Sequence, residues 1–559
     1  MSYHRSRGYS SSSVSGVYTG FSILVVAWWA LVGLFHAYDP FRSYLYWWNL
    51  NPIAMIALNM IFIFGGVAIG KAWADDSGED SFNFFDTVCG IIGVLGIIWF
   101  IWNMITYDAR VMIALRAETQ YVPAEVPLNI TDFRVSSYGE AQTNFKTQNP
   151  DARFQIGNMN YIGDRWIAEF GPKGFWNSFK YPTQGFYEYN PSVNKNPQYI
   201  ENSMTFAENG IAGNSLRVLI AKRDPFAYYD KALFALDPDY PGTYMAVVSL
   251  TKRRGLDAVP YVSNVVIIHK NGLTEWLEPY QASTDIRLAG LQIVPEWLEF
   301  MRVNAYGFKH GVWDSMVYHT DQVQVQTSST NEENTPPFHM RSGDNMYWVT
   351  PMSPYDTPSL VGLAWQQSND INGPIYVWTV PNRQAYPGVD AMTATIKNSS
   401  GHPSDVKWLI NNGGTLSGET EILEMLPVGH NGQLYFVGYA ALGSNPQQTR
   451  LFATIRASDS VVMQDQFTIS EVNTWLQSTN DISVLKPDAE QTTVTTDQLD
   501  LSVYSTDQLW DLFNQIMEEI RKRGSTGGNI MAPFKNISYN DDSDLYGLAG
   551  SILKEIFSR

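Results

Sequence analysis

Cysteine is nearly absent. The 559 residues include one, Cys89, so no disulfide can close within the chain. A chain of this length buries enough apolar surface to fold without one. Positive charge is also scarce: 37 Lys and Arg stand against 55 Asp and Glu, a formal charge of −18. Such a surface is repelled by phosphate backbones, which sets nucleic acid aside as a partner. Catalytic motifs are missing too. There is no Gly-x-Ser-x-Gly elbow, and the histidines at 4, 36, 269, 310, 319, 339, 402 and 430 show no zinc-protease spacing. No catalytic residue and no cofactor is therefore assigned, and the sequence leaves metal binding open.

Several near misses read better as structure. "GGVAIGKAWADD" (65–76) has the glycine and lysine spacing of a phosphate loop, but Ala72 stands where a Ser or Thr must reach magnesium. It also ends a long apolar run, so its glycines are expected to let helices pack closely rather than to bind nucleotide. "NDDSD" (540–544) resembles a calcium loop whose glycine is replaced by Leu545, and reads as a helix-capping turn. "DPDYPG" (237–242) could ligate calcium and equally makes an ordinary turn. Ser551 and Lys554 have Ser-x-x-Lys spacing inside a terminal amphipathic helix. Cys89 falls within an apolar run and reads as packing. His310 and His319, near Asp314 and Asp321, are the polar residues that could converge in space.

What the chain does have is length in its apolar runs. "VYTGFSILVVAWWALVGLFHAY" (17–38), "NPIAMIALNMIFIFGGVAIG" (51–70) and "FFDTVCGIIGVLGIIWFIWNMITY" (84–107) are each about as long as a bilayer core requires. Their polar groups are few, among them His36, Asn59, Asp86 and Asn103, which argues against a charged pathway. The expectation is a cytoplasmic tail (1–16) carrying Arg5 and Arg7, then a three-helix transmembrane region (17–107). The positive-inside rule then puts the rest of the chain outside. Three Asn-x-Ser/Thr triplets, at Asn129, Asn398 and Asn536, are candidate glycosylation sites compatible with that side.

Residues 108–120 extend the third run as a helix, and beyond them the periodicity changes. "TYMAVVSLT", "YVSNVVIIHKNGLTEWL", "PIYVWTVP", "QLYFVGYAAL" and "RLFATIRA" read as strands, with Asn-Gly turns in "HKNG" and "GHNG". "LQIVPEWLEFMRVNAYGF" reads as an intervening helix. The fold class expected is a membrane protein with a β-rich α+β extracytoplasmic domain over 108–489, divisible near 345. A polar linker (490–505) and two amphipathic helices (within 506–559) follow. The helix at 506–523 presents Leu509, Trp510, Phe513, Ile516, Met517 and Ile520 on one face.

The stretch 347–476 carries a resemblance. Thr350, Pro351, Pro354, Ala364, Asp370, Gly373, Pro381, Gly388 and Ala394, then Gly414, Gly418, Leu426, Pro427, Leu434, Tyr435 and Tyr439, stand where similar residues stand in Uncharacterised Protein Family 0182. "YHTD" (318–321) and "LYGLAGSILKEI" near the end are similar to that family as well. Its members are large multi-pass membrane proteins, generally with more spans than the three seen here, and its Gly-Pro pair is Pro387-Gly388 in this chain. The resemblance implies a membrane-anchored extracytoplasmic domain and implies no reaction.

The functional expectation is a homo-oligomeric structural or binding assembly of the cell envelope. The bilayer would be its first partner, and other envelope proteins candidates beside it. An envelope enzyme with a polar site around His310, His319 or the acidic turns is the alternative, as is a channel or transport accessory subunit.

Overall fold

A computed structural model of the protein describes residues 84–478, except 135, 150, 194–195, 225–226, 256, 333, 384, 399–409, 413–414, 418–419 and 443–444. The first two apolar runs, the polar linker, the two helices expected within 506–559 and Asn536 lie outside the described residues. Two compact units, Met1–Asn480 and Asp481–Arg559, divide the chain, and all that follows concerns the first.

Phe84–Glu118 is one helix, α1, of 35 residues. It contains no proline, and its last turns are rich in Ala, Leu, Met and Arg, all strong helix formers. The apolar run 84–107 makes up its first two thirds, where side chains are described only in part. Among the described residues, no helix is long and apolar enough to cross a membrane. The C-terminal third of α1 docks on the domain. Leu115 packs with Val259 and Ala305, the Arg116 guanidinium donates to the Tyr306 carbonyl at 2.6 Å, and Arg110 pairs with Asp257 at 3.2 Å.

Strand β1 (Tyr121–Ala124) and helix α2 (Tyr138–Thr147) lead into an antiparallel meander. This comprises β2 (Phe154–Ile162), β3 (Arg165–Pro172), helix α3 (Phe175–Lys180), β4 (Gly185–Tyr189) and β5 (Gln198–Glu201). Helix α4 (Leu216–Ala221) separates it from a second meander of β6 (Leu233–Leu236), β7 (Tyr244–Arg254), β8 (Val259–Ile268) and β9 (Thr274–Leu277). Helices α5 (Pro279–Thr284) and α6 (Glu296–Tyr306) follow. Next come β10 (Val323–Val325), β11 (Phe338–Ser342), β12 (Asn345–Pro354), β13 (Gly362–Gln367) and β14 (Ile375–Thr379). With β1 they form a six-stranded sheet in the order β1-β14-β13-β12-β10, with β11 also on β12. All its pairs are antiparallel except β1 with β14, which is parallel. Helix α7 (Val389–Asn398) and the ribbon β15 (Ile410–Asn412) and β16 (Thr415–Ser417) precede a third meander. Its strands are β17 (Thr420–His430), β18 (Gln433–Leu442), β19 (Asn445–Arg456) and β20 (Val462–Phe467), closed by α8 (Ile469–Gln477).

Alternation along β7 places this architecture. Tyr244, Ala246, Val248 and Leu250 face a core shared with Ile167 and Phe186 of the first meander. Met245 and Val247 face the opposite way, onto Leu298 of α6 and Trp348 of β12. A strand buried on both faces has no polar side to show, which is why its sequence is a nearly continuous apolar run. The β-rich α+β class expected for this region holds. Each quoted strand segment forms a strand, 291–308 contains α6, and the helix following the third apolar run extends to Glu118. The "GHNG" turn joins β17 to β18 with Asn431 at φ 48 and Gly432 at φ 76, as a tight primed turn requires.

One buried ion pair ties three parts of this unit together. A bulge in β17 between Ile422 and Glu424 turns the Glu424 side chain inward. There it pairs with Arg134, both side chains being almost wholly buried. Glu424 also accepts from the Tyr138 backbone N–H at 3.1 Å and from the Asn334 amide. The Arg134 guanidinium lies 5.4 Å from the centre of the Trp166 ring. Removing one partner strands the other charge. Glu424→Ala is expected to destabilise the domain by roughly 3–5 kcal/mol, and the apolar double replacement Arg134→Met with Glu424→Leu to recover much of that loss. Thermal unfolding of the purified protein checks this, and equal melting temperatures for Glu424→Ala and the parent would contradict it.

Candidate functional site

Two carboxyls lie inside the core between the first and second meanders. Period two along β3 puts Glu169 on the face of Ile167, which points into that core, and Glu169 is fully buried. The space it needs comes from glycine. A Cβ at Gly157 would stand 3.1 Å from Glu169 Oε2, and one at Gly171 3.1 Å from its Cδ. Glu208 approaches from the segment after β5, and its own backbone N–H donates to Glu169 Oε1 at 3.3 Å. Thr183 donates its hydroxyl to the same oxygen, while Glu169 Oε2 is buried without a hydrogen-bond partner.

Glu208 is held from two sides. The Ala232 backbone N–H donates to Oε1 at 2.8 Å, and the Asn158 amide donates to both oxygens at 2.9 Å. Asn158 can do so because the ladder between β2 and β3 slips between Ile156 and Met159, a bulge that re-aims one side chain. Asn158 is itself exposed, so the pair sits one side chain below the surface.

Burial disfavours charge on both groups. It pushes the Glu169 carboxyl up to about 7 against the Thr183 and Glu208 hydrogen bonds. Burial, then the Glu169 charge, pushes Glu208 up to about 8. The pair therefore retains a proton near neutral pH.

A second polar cluster joins β8 to the turn before β7. His269 Nδ1 lies 2.7 Å from Asp237 Oδ2, and its Nε2 lies 3.3 Å from Glu275 Oε1. Arg287 donates to Asp239 at 2.6 Å and to Glu275 at 2.9 Å. Burial opposes charge on His269, but its hydrogen bonds to Asp237 and Glu275 outweigh that and raise its proton affinity. Asp237, Asp239 and His269 each offer a donor atom, all within 4.8 Å of one another, so these three could hold a cation. Arg287 already supplies a positive charge to Asp239, and His269 is itself bonded to Asp237. The cluster is thus complete as an ion-pair network. Asp237 and Asp239 belong to the "DPDYPG" turn; spacing gave no hint that His269 would meet it.

The other sequence candidates are dispersed. His319 stacks on Tyr355 with ring centres 3.7 Å apart and bonds Gln322 at 2.8 Å, while His310 is exposed. Asp314 binds the backbone of Thr320 at 3.1 Å, and Asp321 is exposed. Among the described residues, the group with metal-ligand geometry includes none of these four. A surface cleft of about 320 Å3 does open beside them, lined in part by Lys309, Asp321, Gln322 and Met352. Asn129 and Asn398 are both exposed, and Asn536 lies outside the described residues. Comparison with protein families, curated proteins and solved structures finds no match for the chain.

The acid pair fixes the sign of a pH dependence. An unfolded chain releases these protons near the ordinary glutamate value of 4.5, whereas the folded chain keeps them until about 7 to 8. Their contribution to stability is therefore fully present below about 4.5 and lost as pH rises through 7 to 8. Glu208→Gln, which mimics the protonated acid, is expected to melt higher than the parent at pH 8 and close to it at pH 5. Melting curves at the two pH values decide the matter; a variant destabilised equally at both would refute the retained proton.

Proposed function

We propose that this is a membrane-anchored protein of the cell envelope whose β-rich domain stands outside the cytoplasm as a structural or binding scaffold. It assembles as a homo-oligomer. Three N-terminal helices hold it in the bilayer, with the N-terminus in the cytoplasm.

The observation that carries this proposal is the continuity of α1. The apolar part of the helix shows Leu95, Ile98, Ile101, Trp102 and Ile105, each at least 45% exposed, along one face. Lipid tails are the environment that such a surface fits. The same helix, without a break, reaches the domain and is clamped there by Arg116 and Arg110. An anchor joined rigidly to its load suits a scaffold that must hold a fixed stance on the membrane. The similarity of 347–476 to Uncharacterised Protein Family 0182 points the same way.

Self-association has a candidate surface on α3. Phe175, Trp176 and Phe179 are 49%, 79% and 55% exposed, an aromatic patch beyond the scattered apolar residues of an ordinary surface. Aromatic side chains of this kind form the centres of protein interfaces. Trp176→Ser with Phe179→Ser is expected to lower the native mass of the detergent-extracted particle without lowering its melting temperature. An unchanged mass would move assembly away from this face. For topology, protease added to intact spheroplasts should remove most of the chain. Protection until lysis would place the domain on the cytoplasmic side.

A further inference from the structure

The connection between α6 and β10, residues 307–322, leaves the domain and returns to the place it left. At its base Gly307 packs against the backbone of Val323 so closely that a Cβ would stand 2.2 Å from the Val323 carbonyl oxygen. The Asn304 side chain accepts from the Val325 N–H at 2.8 Å and closes the same base. The excursion between these ends runs alongside α1. Tyr306 is level with Arg116, whose guanidinium holds its carbonyl at 2.6 Å. Trp313 is level with Trp102, the two rings lying 5.8 Å apart. Arg116 and Trp102 are fourteen residues apart on one helix, so the connection descends roughly 20 Å along α1 toward its apolar part.

The excursion is ordered. Ser315 N–H donates to Gly311 at 3.1 Å, and His319 N–H donates to Asp314 at 2.7 Å, across one helical turn (Asp314–Tyr318). The stacking of His319 on Tyr355 pins the returning arm to the domain. What this scaffold presents outward is apolar and aromatic: Trp313 is 64% exposed, Val317 55% and Tyr318 75%. These residues continue the exposed surface of Leu95, Ile98, Ile101, Trp102 and Ile105 on α1.

We infer that residues 307–322 form a finger that dips into the outer interface of the same bilayer that holds α1, with Trp313, Val317 and Tyr318 in contact with lipid. The inference rests on the membrane reading of α1. Depth agrees with composition. Asp108 is the first charge after the third apolar run, and Trp102 lies six residues, roughly 9 Å, on the apolar side of it. That is about the depth of the headgroup boundary, where Trp and Tyr rings settle with one edge wet and the other dry. Lys309 and His310, both exposed, stand on the descending arm above the tip, on the side of the headgroups. The finger gives the domain a second foothold beside the helix, which fixes rotation about the α1 axis as well as height.

The test uses the full chain in lipid nanodiscs with Cys89→Ser as background. Single cysteines carrying a nitroxide are placed at Val317 on the finger, at Leu95 on α1 and at Tyr280, which is 77% exposed on α5. Relaxation by oxygen, which concentrates in lipid, is compared with relaxation by a water-soluble nickel chelate. The result expected is loss of the nickel effect at 317 and 95, with oxygen still active, while 280 keeps the nickel effect. A label at 317 open to nickel while 95 is in lipid overturns the finger and leaves the anchor standing. A label at 317 shielded from both reagents means that protein covers it, a second copy or another partner, and also overturns the proposal. Nickel access at both 317 and 95 removes the anchor and the finger together.

Discussion

Burial of the second meander on both faces is the constraint around which the unit is arranged. Val247 and Val248 are neighbours in one strand, and each enters a different core. A sheet used this way needs cover on two sides. The first meander supplies it on one, and α6 with Trp348 of β12 supplies it on the other. The position of α6 then follows, and with it that of α1, whose Leu115 packs on Ala305 of α6 and Val259 of β8. Helix α1 is thus seated by the same packing that builds the core.

Within this apolar frame the buried charges are introduced by irregularities in the strands. The β17 bulge turns Glu424 toward Arg134, and the β2 bulge brings Asn158 over Glu208. A regular ladder would have kept alternation intact and sent these side chains elsewhere. The two solutions differ in kind. Glu424 is buried against a guanidinium and has partners for its charge, while Glu169 and Glu208 are buried against each other and give up charge instead. The His269 network is a third case, in which Arg287 balances carboxylates nearer the surface.

Much of this fold was legible in the sequence, and the reason is periodicity. "QLYFVGYAAL" forms the whole of β18, and the Asn-Gly of "GHNG" makes the turn before it, because local pattern and local turn chemistry suffice there. What pattern could not give is the pairing of β1 with β14, two segments some 250 residues apart. The acid pair was half legible. An acid in the centre of "RWIAEFGP", on the face of Ile167 and flanked two positions on by Gly171, marks a buried carboxyl. Glu208 lies in an irregular segment with no period to read. The convergence of His269 with Asp237 was likewise invisible, since their 32-residue separation matches no ligand spacing.

A helix without proline, continuous from Phe84 to Glu118 and about 50 Å long, behaves as a stiff rod on the scale of a protein. One end is clamped between β8 and α6. Any force on the far side of the domain must then appear in the rod as tilt or twist, because no hinge lies between to absorb it. The docked stretch from Asp108 to Glu118 moves with the domain, and thermal rocking of the domain is felt by the apolar stretch beyond it as torque.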